Sequence, residues 1–398
     1  MNFEEIIVKK INSKRPKDTS FSFLFPNGKL KKFGDKKDQF RIEINTPHVY
    51  TAIATKGPLG LGEQFMLGNF DIKGDFDIAI ITLARMFARD ELNQGNFFYQ
   101  TLHLVKKQLL LETKDRALKD INAHYDISND FYKLFLDPTM TYSCAYFKKE
   151  TDSLEMAQVQ KYEHVCRKLQ LHPGETLLDI GCGWGGMLIY AAQKYKIHGY
   201  GVTLSKNQYT YAKEKIKELG LEKQISVELK DYRDIKGEFD KFVSIGMFEH
   251  VTKNYYDDFF RMVKNSLVTG GLGVLHTISV NDPTIELGPW YHAYIFPGAQ
   301  VPALSWIIDH ATKYGLCPLD LENLRPHYAL TLKHWAKNFE RSYPKVVKNK
   351  GEKFARMWKL YLYESRASFV TGLTQLYQLT FTNGVNNKLP LTRDFLYN

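Results

Sequence analysis

A run of glycines follows an apolar segment and has the spacing of a cofactor-binding turn. Residues 176–180 form the apolar segment, and the residues after it are Gly181, Cys182, Gly183, Trp184 and Gly185. Glycines between a strand and a helix let backbone amides approach a ligand closely. The pattern GxGxxG alone fits nicotinamide and flavin enzymes, and it also fits a turn that only packs tightly.

Two residues near the glycines separate these alternatives. A dinucleotide site usually places Asp or Glu about 20 residues further on, where it binds the ribose hydroxyl groups. Here Thr203 ends the following strand instead, and Asp179 stands shortly before the glycines. An acidic residue in that place resembles the first motif of class I methyltransferases, where a carboxylate helps to anchor the loop that faces the methionine end of the cofactor. We therefore predict S-adenosylmethionine as the cofactor, with a nicotinamide enzyme or a packing turn as the alternatives.

Residues at the ends of the next two strands fit the same cofactor. We expect the adenine after the third strand, where Tyr232 offers a flat aromatic face beside Arg233. Tyr232 alone could be an ordinary packed aromatic, but the carboxyl end of a parallel strand is where such folds bind ligands. We expect the ribose at the end of the second strand, at Thr203, Leu204, Ser205 and Gln208.

The elements that would position these residues alternate between strand and helix from residue 151 onward. This alternation predicts an α/β fold with a doubly wound, mostly parallel sheet. Asp152 and Glu155 form a capping-box-like start for the first helix, and residues 374–382 alternate like a terminal edge strand. The predicted strands are 176–180, 198–204, 225–229, 241–245 and 273–278. The predicted helices are 187–195, 209–219, 255–267, 332–339 and 353–367.

The N-terminal part of the chain differs in pattern and in charge. Strand-like runs at 40–44 and 50–54, glycine turns around residues 57–62 and a helix at 77–86 predict a small α+β unit. Residues 1–41 contain eleven Lys or Arg against five Asp or Glu, within a chain of net charge +10. Such a basic lobe suits nucleic acid or an anionic lipid surface, although a lysine-rich solvated surface is an alternative.

A chain of 398 residues is long enough for two domains. We expect a basic α+β lipid- or membrane-associating domain at 1–110 and a catalytic domain at 151–398. Between them, residues 111–150 would form a helical linker that covers the cofactor, with a charged, helical connector at 112–119. An aromatic- and glycine-rich insertion around 283–350 would form a lipid pocket in the catalytic domain.

The cysteines and the apolar stretches bear on where the protein works. Its four cysteines form no CxxC pair, and no basic, apolar leader precedes the body of the chain, which predicts a reduced, cytoplasmic protein. The longest apolar stretch, residues 78–88, is far shorter than the roughly 20 residues that span a bilayer. We therefore expect any membrane contact to be peripheral.

Several motifs in this order resemble cyclopropane fatty acid synthases and the related mycolic acid cyclopropane synthases. The resemblance covers residues 120–380, and residues 60–63 resemble an additional lobe of bacterial phospholipid-modifying members. The motifs are Ala-His-Tyr-Asp at 123–126, Met-Thr-Tyr-Ser-Cys-Ala-Tyr-Phe at 140–147, the glycine loop at 179–186, Gly-Val-Thr-Leu-Ser at 201–205, Gly-Met-Phe-Glu-His-Val at 246–251 and Leu-His-Thr-Ile at 275–278.

The resemblance implies an enzyme that adds a methylene bridge across the cis double bond of an unsaturated phospholipid acyl chain. It implies cofactor contacts at Tyr142, Ser143 and Ile245, no nucleic-acid partner and a homodimer. A relative that leaves a methyl or methylene branch, a small-molecule methyltransferase and a non-catalytic lipid-binding protein are the alternatives.

The family is understood to hold a bicarbonate ion that removes the proton. The corresponding residues here are Cys144, Glu249, His276, the backbone of Ile278, and Tyr328. Histidine, tyrosine and backbone donors can hold an anion, and Glu249 can orient it or accept a proton onward. Each also has an ordinary structural interpretation, such as a buried thiol, a helix cap or a core histidine.

The implied reaction passes through a carbocation, so aromatic faces could stabilise positive charge at the site. A cysteine that many relatives carry in the C-terminal helix is replaced here by Ser365, so we expect packing or pocket lining at this position and no covalent step. Plain core or an acyl-chain pocket is the alternative for the aromatic cluster. The candidate aromatics are Tyr142, Trp290, Tyr291, Tyr294 and Phe296.

Overall fold

The computed structural model describes residues 3–93 and 127–397. The chain forms two compact units, each assembled from three stretches. The predicted connector at 112–119 and the motif at 123–126 lie outside the described residues. The first unit comprises Met1–Leu111, Leu287–Ile295 and Leu332–Leu373, and the second comprises Glu112–Glu286, Phe296–Thr331 and Thr374–Asn398.

The first unit is built around a four-stranded sheet of order β2-β1-β3-β4, in which β1 and β3 are parallel. Stacked phenylalanine rings fill its core, with Phe21 lying 4.7 Å from Phe40 and 5.2 Å from Phe33 between ring centroids. Its strands are β1 (Phe21–Leu24), β2 (Leu30–Phe33), β3 (Phe40–Ile44) and β4 (Phe70–Gly74). Its N-terminal helices are α1 (Phe3–Lys14), α2 (His48–Met66) and α3 (Phe76–Asn93).

The predicted strand at 50–54 is wrong, because these residues lie inside α2. The β-branched residues there favour a strand locally, but the helix also runs through the glycines predicted as turns, with a kink at Gly57, whose φ is 55°. A Cβ at Gly60 would come within 2.2 Å of the Ala52 carbonyl oxygen, and one at Gly62 within 2.3 Å of the Trp290 ring. These two glycines therefore allow close packing within a helix rather than a chain reversal.

The second unit contains a seven-stranded sheet of order β10-β11-β9-β8-β5-β6-β7. Strands β5 to β9 are parallel, and β10 and β11 join antiparallel at one side, which confirms the predicted mostly parallel, doubly wound α/β fold. The strands are β5 (Thr176–Ile180), β6 (His198–Thr203), β7 (Ile225–Leu229), β8 (Phe239–Ile245), β9 (Leu267–Ser279), β10 (Leu316–Asn323) and β11 (Gln375–Asn383).

The remaining helices complete the two units. Residues 332–373, predicted as part of the catalytic domain, cluster with the first unit. No described helix is long and apolar enough to cross a membrane. The helices are α4 (Asn129–Tyr132), α5 (Leu154–Leu169), α6 (Gly186–Tyr195), α7 (Lys206–Glu218), α8 (Tyr256–Ser266), α9 (Pro289–Tyr294), α10 (Leu304–Lys313), α11 (Arg325–Lys350) and α12 (Glu352–Thr371).

Two further sequence predictions need correction in the second unit. The C-terminal strand is not at the edge: β11 lies between β9 and β10, and all nine of its residues are buried. The edge strand on this side of the sheet is β10, where the register shifts between Pro318 and Asp320, as suits an edge. The cap of α5 is Ser153, whose hydroxyl accepts a hydrogen bond from the Met156 amide, and not Asp152.

Candidate active site

A cavity opens at the carboxyl ends of β5, β6 and β8, where the strand order reverses on either side of β5. Open α/β sheets bind ligands at this switch point, because the loops diverge there. Of the fifteen residues predicted to contact the cofactor, thirteen line the cavity; Gly185 and Ser205 do not. The thirteen are Tyr142, Ser143, Asp179, Gly181, Cys182, Gly183, Trp184, Thr203, Leu204, Gln208, Tyr232, Arg233 and Ile245.

The glycine loop at the cavity has a backbone conformation that residues with a Cβ rarely adopt. Gly181 and Gly183 have φ values of 77° and 56°, in the left-handed region. A Cβ at Gly181 would also lie 2.6 Å from the Met247 side chain. Gly185 has the same backbone conformation and caps α6, so its role lies in beginning that helix.

The end of β6 presents two polar side chains that fix each other. The Thr203 hydroxyl donates a hydrogen bond to the Gln208 side-chain oxygen at 2.8 Å, and both residues line the cavity. Ser205 instead caps α7, accepting a hydrogen bond from the Gln208 amide at 3.3 Å. The side-chain NH₂ group of Gln208 has no recorded partner in the described part of the chain and can donate to the hydroxyl groups of a sugar.

An ion pair and two tyrosines lie at the β7 end of the cavity. The Arg233 guanidinium donates two hydrogen bonds to the Asp231 carboxylate, at 2.9 and 2.7 Å. Its charge also lies 5.7 Å from the Tyr232 ring and 5.3 Å from the Tyr255 ring. The rigid pair holds an aromatic surface of the kind that a purine base stacks on.

The segment before α5 packs on the glycine loop. The Trp184 indole donates a hydrogen bond to the Asn129 side-chain oxygen at 2.8 Å, and its ring contacts Tyr132, which contacts Tyr142 in turn. Met140, which lines the cavity, has a φ of 55°, unusual for a residue that is not glycine. Tyr142 and Ser143 are thereby brought to the cavity wall.

A buried lysine and a buried carboxylate face this part of the cavity. Lys161, on α5, is 1% exposed, and its ammonium donates a hydrogen bond to the Ser143 hydroxyl at 3.0 Å. Burial lowers the pKa of Lys161 to about 8, against the opposing effect of nearby Asp137. Burial raises the pKa of Asp179 to about 7, and the charge of Lys161 limits the rise.

None of the five proposed bicarbonate residues lines the cavity, but Cys144 follows the lining residue Ser143, and Glu249 precedes the lining residue His250. One Glu249 oxygen, Oε1, accepts a hydrogen bond from the Ile278 amide at 2.6 Å, which joins the turn after β8 to the end of β9. Burial raises the pKa of Glu249 to about 7, and the Ile278 hydrogen bond opposes that rise. The other oxygen, Oε2, is buried and has no partner among the described residues.

His276 lies two residues before Ile278 and points to the same face of β9. Its Nδ1 accepts a hydrogen bond from the Gln378 amide nitrogen at 3.0 Å, so Nε2 carries the ring hydrogen. That Nε2 is buried with no partner in the described part of the chain. Burial, reinforced by the charge of Lys161, lowers the pKa of His276 well below its usual range, so the ring is neutral.

Cys144 and Tyr328 complete the predicted set from two other segments. Cys144 is fully buried, its thiol donates to the Ala145 carbonyl at 3.2 Å, and burial raises its pKa, so it remains a thiol. The Ala145 amide donates to the Thr331 hydroxyl at 3.0 Å, three residues beyond Tyr328 on α11. The Cys144 segment therefore packs against the beginning of the helix that carries Tyr328.

Both implied small molecules fit the residues present. An unsatisfied buried donor or acceptor costs about 1–3 kcal/mol, so the unpartnered Nε2 of His276 and Oε2 of Glu249 suit a small polar ligand such as bicarbonate. The cavity offers paired polar side chains at β6, an aromatic surface at β7 and ionisable groups at β5, which suit the sugar, base and amino-acid parts of S-adenosylmethionine.

The remaining aromatic candidates divide between the units. Trp290, Tyr291 and Tyr294 belong to the first unit and Phe296 to the second. Within the first unit, the Trp290 indole donates to the Met66 sulfur at 3.3 Å, and the Tyr291 hydroxyl lies 3.2 Å from the Ser365 hydroxyl. These contacts give Trp290 and Ser365 roles in packing.

Several residues that line the cavity were not among the predicted contacts, and four of them have polar or ionisable side chains of interest: Lys161, Tyr162, His250 and Tyr255. The sequence could have indicated that Lys161 is buried. It stands seven residues after Leu154 and four before Val165, on the buried face of α5. His250 directly follows the predicted Glu249. Nothing in the sequence marks Tyr162 or Tyr255 as a cavity residue, because aromatic residues at such positions usually belong to the core.

Comparison with known proteins places this geometry in a family. The model of the family described as mycolic acid cyclopropane synthetase matches residues 112–379, and a domain of unknown function (DUF7884) matches residues 9–93. The cyclopropane-fatty-acyl-phospholipid synthase of Escherichia coli (strain K12) is 36% identical over 353 residues, which are 88% of this chain and 90% of that protein. A probable fatty acid methyltransferase of Pseudomonas putida is 35% identical over 370 residues, covering 90% and 92%.

Solved structures agree with the sequence comparison. The crystal structure of the mycolic acid cyclopropane synthase CmaA1, complexed with SAH and CTAB, matches with a TM-score of 0.64 and 33% identity. The match covers 68% of this chain and 99% of that one. The similarity therefore spans the whole of that enzyme and leaves about a third of this chain beyond it.

Proposed function

Because this chain belongs to the mycolic acid cyclopropane synthetase family, we propose that it forms cyclopropane rings on membrane phospholipids. The chain is an S-adenosylmethionine-dependent methyltransferase with a class I fold. In the proposed reaction a methylene group is added across the cis double bond of an unsaturated acyl chain. The observation that carries the proposal is that Oε2 of Glu249 and Nε2 of His276 are buried without a partner among the described residues. Glu249 precedes the lining residue His250, and His276 is paired with the lining residue Ile245 in the sheet.

The choice of a phospholipid acceptor rests on the extent of the similarity. The phospholipid synthase of Escherichia coli matches 88% of this chain, whereas the mycolic acid synthase CmaA1 matches 68% of it. Residues 9–93, which form most of the described N-terminal part, match a separate domain family. A chain with this additional part is closer in organisation to the phospholipid-modifying relative.

The proposed chemistry sets three demands on the protein. Bound S-adenosylmethionine would supply an electrophilic methyl group to an alkene, which is a weak nucleophile. Attack leaves a carbocation on the acyl chain, and loss of a proton from the new methyl group then closes the ring. The residues at the cavity must therefore hold the cofactor, exclude water and deliver a base.

The side chains beside the cavity can meet the demand for a base. Bicarbonate held between Glu249 and His276 would supply the group that takes the proton. The neutral His276 ring can donate a hydrogen bond from Nε2, and Oε2 of Glu249 can accept a proton onward. A pKa of about 7 suits Glu249 to this relay, because proton transfer is most effective when the pKa of the group lies near the working pH.

We propose that the basic N-terminal part brings the enzyme to the membrane surface as a peripheral cytoplasmic protein. Strand β2 lies at the edge of its sheet, and Lys31 and Lys32 on it are exposed, as are Lys36 and Lys37 in the turn that follows. Each lysine close to an anionic bilayer contributes about 1 kcal/mol to binding. Family resemblance also leads us to propose a homodimer, which light scattering during size-exclusion chromatography would test.

The deciding experiment is lipid mass spectrometry after incubation with cofactor labelled in its methyl group. Vesicles of a mono-unsaturated phospholipid should gain one labelled CH₂ group per modified chain, and the matching saturated phospholipid should gain none. No gain with ample cofactor would refute the proposal. Proton NMR of the product then separates a ring from a methyl or methylene branch, the outcome expected of the alternative fatty acid methyltransferase.

The role of bicarbonate needs its own measurement. Rates should fall in buffer freed of carbon dioxide and recover when bicarbonate is returned. Unchanged rates in the depleted buffer would exclude bicarbonate as the base and leave Glu249 as the group that takes the proton directly.

A further inference from the structure

The cavity wall contains one buried cation for which the reaction described above has no use. Lys161 lines the cavity beside Tyr142, Ser143 and Asp179, and its side chain is 1% exposed. Lysines are almost never fully buried unless they are paired, because removing an ammonium group from water is costly. Lys161 therefore needs a hydrogen-bond acceptor or a negative charge that offsets the cost of burying its ammonium.

The described residues satisfy the Lys161 ammonium only in part. An ammonium has three hydrogens to donate, and the hydrogen bond that the structure records for Lys161 is the one to the Ser143 hydroxyl. The Tyr162 ring lies 4.3 Å from the ammonium. The charges of Asp137 and Asp179 also act on Lys161, but neither carboxylate forms a recorded ion pair with its ammonium, and the Asp137 oxygens accept hydrogen bonds from Thr139 and Thr141.

A second buried lysine on the same helix shows what a structural pairing looks like. Lys168 lies two turns beyond Lys161 on α5 and is also buried, at 2% exposed. Its ammonium is 2.6 Å from a Glu322 oxygen and 3.8 Å from an Asp320 oxygen, so its charge is met directly by carboxylates. Lys161 has no carboxylate as close among the described residues and faces the cavity instead.

The order of the strands indicates which part of the cofactor lies nearest to Lys161. Going along the sheet, the aromatic surface for the base follows β7, the polar pair for the sugar follows β6, and Asp179 and Lys161 lie at β5. An extended molecule with its base and sugar at β7 and β6 therefore has its amino-acid end at β5. That end carries the cofactor's single anionic group, the α-carboxylate.

We propose that Lys161 binds the α-carboxylate of S-adenosylmethionine and that Ser143 orients the ammonium for this contact. Lys161 is then a residue that selects a cofactor with an intact amino acid. The inference rests on the cofactor and not on the identity of the lipid acceptor, so it stands even if the acceptor is a different molecule.

The test compares three ligands by isothermal titration calorimetry on the full chain, without lipid. S-adenosylmethionine and its decarboxylated analogue differ only in the carboxylate, and 5′-methylthioadenosine lacks the amino-acid end altogether. The unaltered protein should bind S-adenosylmethionine about tenfold to a hundredfold more tightly than the decarboxylated analogue, as expected for a buried hydrogen bond between charged groups. In Lys161→Met this ratio should fall to about twofold or less, with 5′-methylthioadenosine binding unchanged.

Lys168→Met is the matched control, because it removes a buried lysine from the same helix face but away from the cavity. It should keep the full preference for S-adenosylmethionine, even if the protein unfolds at a lower temperature. Lys161→Gln, which retains a donor for the Ser143 hydroxyl, serves if Lys161→Met does not fold. The inference is overturned if either Lys161 variant keeps the original ratio of affinities for S-adenosylmethionine and its decarboxylated analogue. It is also overturned if the unaltered protein binds the two ligands equally.

The readout also separates this inference from the proposed lipid chemistry. No acceptor is present in the titrations, so a failed lipid assay would leave their outcome unchanged. Conversely, loss of the preference would leave ring formation on phospholipids open, because another group could then hold the amino-acid end.

Discussion

The burial of Glu249 predicts a specific change of stability with pH. Its pKa is raised from 4.5 to about 7, so the folded protein favours the protonated carboxyl. The stability that this form contributes is complete below the unfolded pKa and is lost as the pH rises through the folded pKa. A shift of this size corresponds to about 3 kcal/mol, most of it lost between about pH 5 and about pH 8.

The substitution Glu249→Gln should abolish this loss. Glutamine keeps an oxygen for the Ile278 amide and stays neutral at every pH. The free energy of unfolding of the variant, minus that of the unaltered protein, should therefore increase by about 2–3 kcal/mol from about pH 5 to about pH 8. Groups that titrate identically in both proteins cancel in this difference, and the unpartnered glutamine NH₂ adds an offset that does not change with pH.

Urea unfolding of both proteins across that pH range measures the difference. Glu163→Gln is a control of opposite character, because the hydrogen bond from Arg167 helps to lower the pKa of Glu163 to about 2. Glu163 is thus ionised in the folded and unfolded protein above about pH 5, and its variant should differ from the unaltered protein by a constant amount. A constant difference for Glu249→Gln as well would refute the account of a carboxyl kept protonated by burial.

Three other outcomes are expected. Glu249→Gln should slow turnover about a hundredfold or more while leaving the affinity for S-adenosylmethionine unchanged, and near-normal initial rates would reject the proton relay. Ser365→Ala should lose about 1 kcal/mol of stability with its hydrogen bond to Tyr291 but keep its rate within about threefold; a hundredfold slower enzyme would contradict a packing role. Replacing four exposed N-terminal lysines with glutamine should weaken binding to anionic vesicles at low salt, less so at high salt, and equal binding would dismiss the basic surface. The four are Lys31, Lys32, Lys36 and Lys37, and the matched control replaces Lys213, Lys217, Lys223 and Lys236.

The sequence was most informative where one local pattern determines an element. Strands β5 and β7 begin and end at the predicted residues, because β5 is a mostly apolar run, β7 alternates apolar and polar residues, and turn-forming or polar residues bound both. The prediction failed at residues 50–54, where Tyr50, Thr51 and Ile53 near the start of α2 favour a strand. Tertiary packing of the helix, including the close approach of Trp290 to Gly62, outweighs that local preference.

Strand β11 shows a different limit. Its sequence alternates, and alternation is typical of a strand with one face in solvent. Yet Gln375, Gln378 and Asn383 are buried, and each has a hydrogen-bond partner outside the strand, as the Gln378 amide nitrogen has in the His276 ring. Polar residues that bond to each other inside a sheet look like solvent-facing residues until their partners are known, so the position of β11 in the sheet could not be read from the sequence.

The candidate site was predictable where glycines and strand ends mark it, and less so where its chemistry depends on burial. Glu249 and His276 could be selected by motif, but their altered pKa values follow from desolvation, which a sequence does not contain. Lys161 illustrates the point most clearly. A lysine in a helix is ordinarily exposed, but tertiary packing buries Lys161, and its ammonium contacts Ser143 from the segment that precedes α5.

The two unpartnered atoms also indicate which small anion the site would favour. Nε2 of His276 offers a hydrogen, whereas Oε2 of Glu249 accepts one when ionised and donates one when protonated. Bicarbonate carries both a hydroxyl group and charged oxygens, so it can satisfy the pair in either protonation state of Glu249. Halide and nitrate ions have no hydrogen to donate and would leave ionised Glu249 unsatisfied beside a second negative charge. We therefore expect the proposed anion site to prefer an anion that is itself a hydrogen-bond donor whenever Glu249 is ionised.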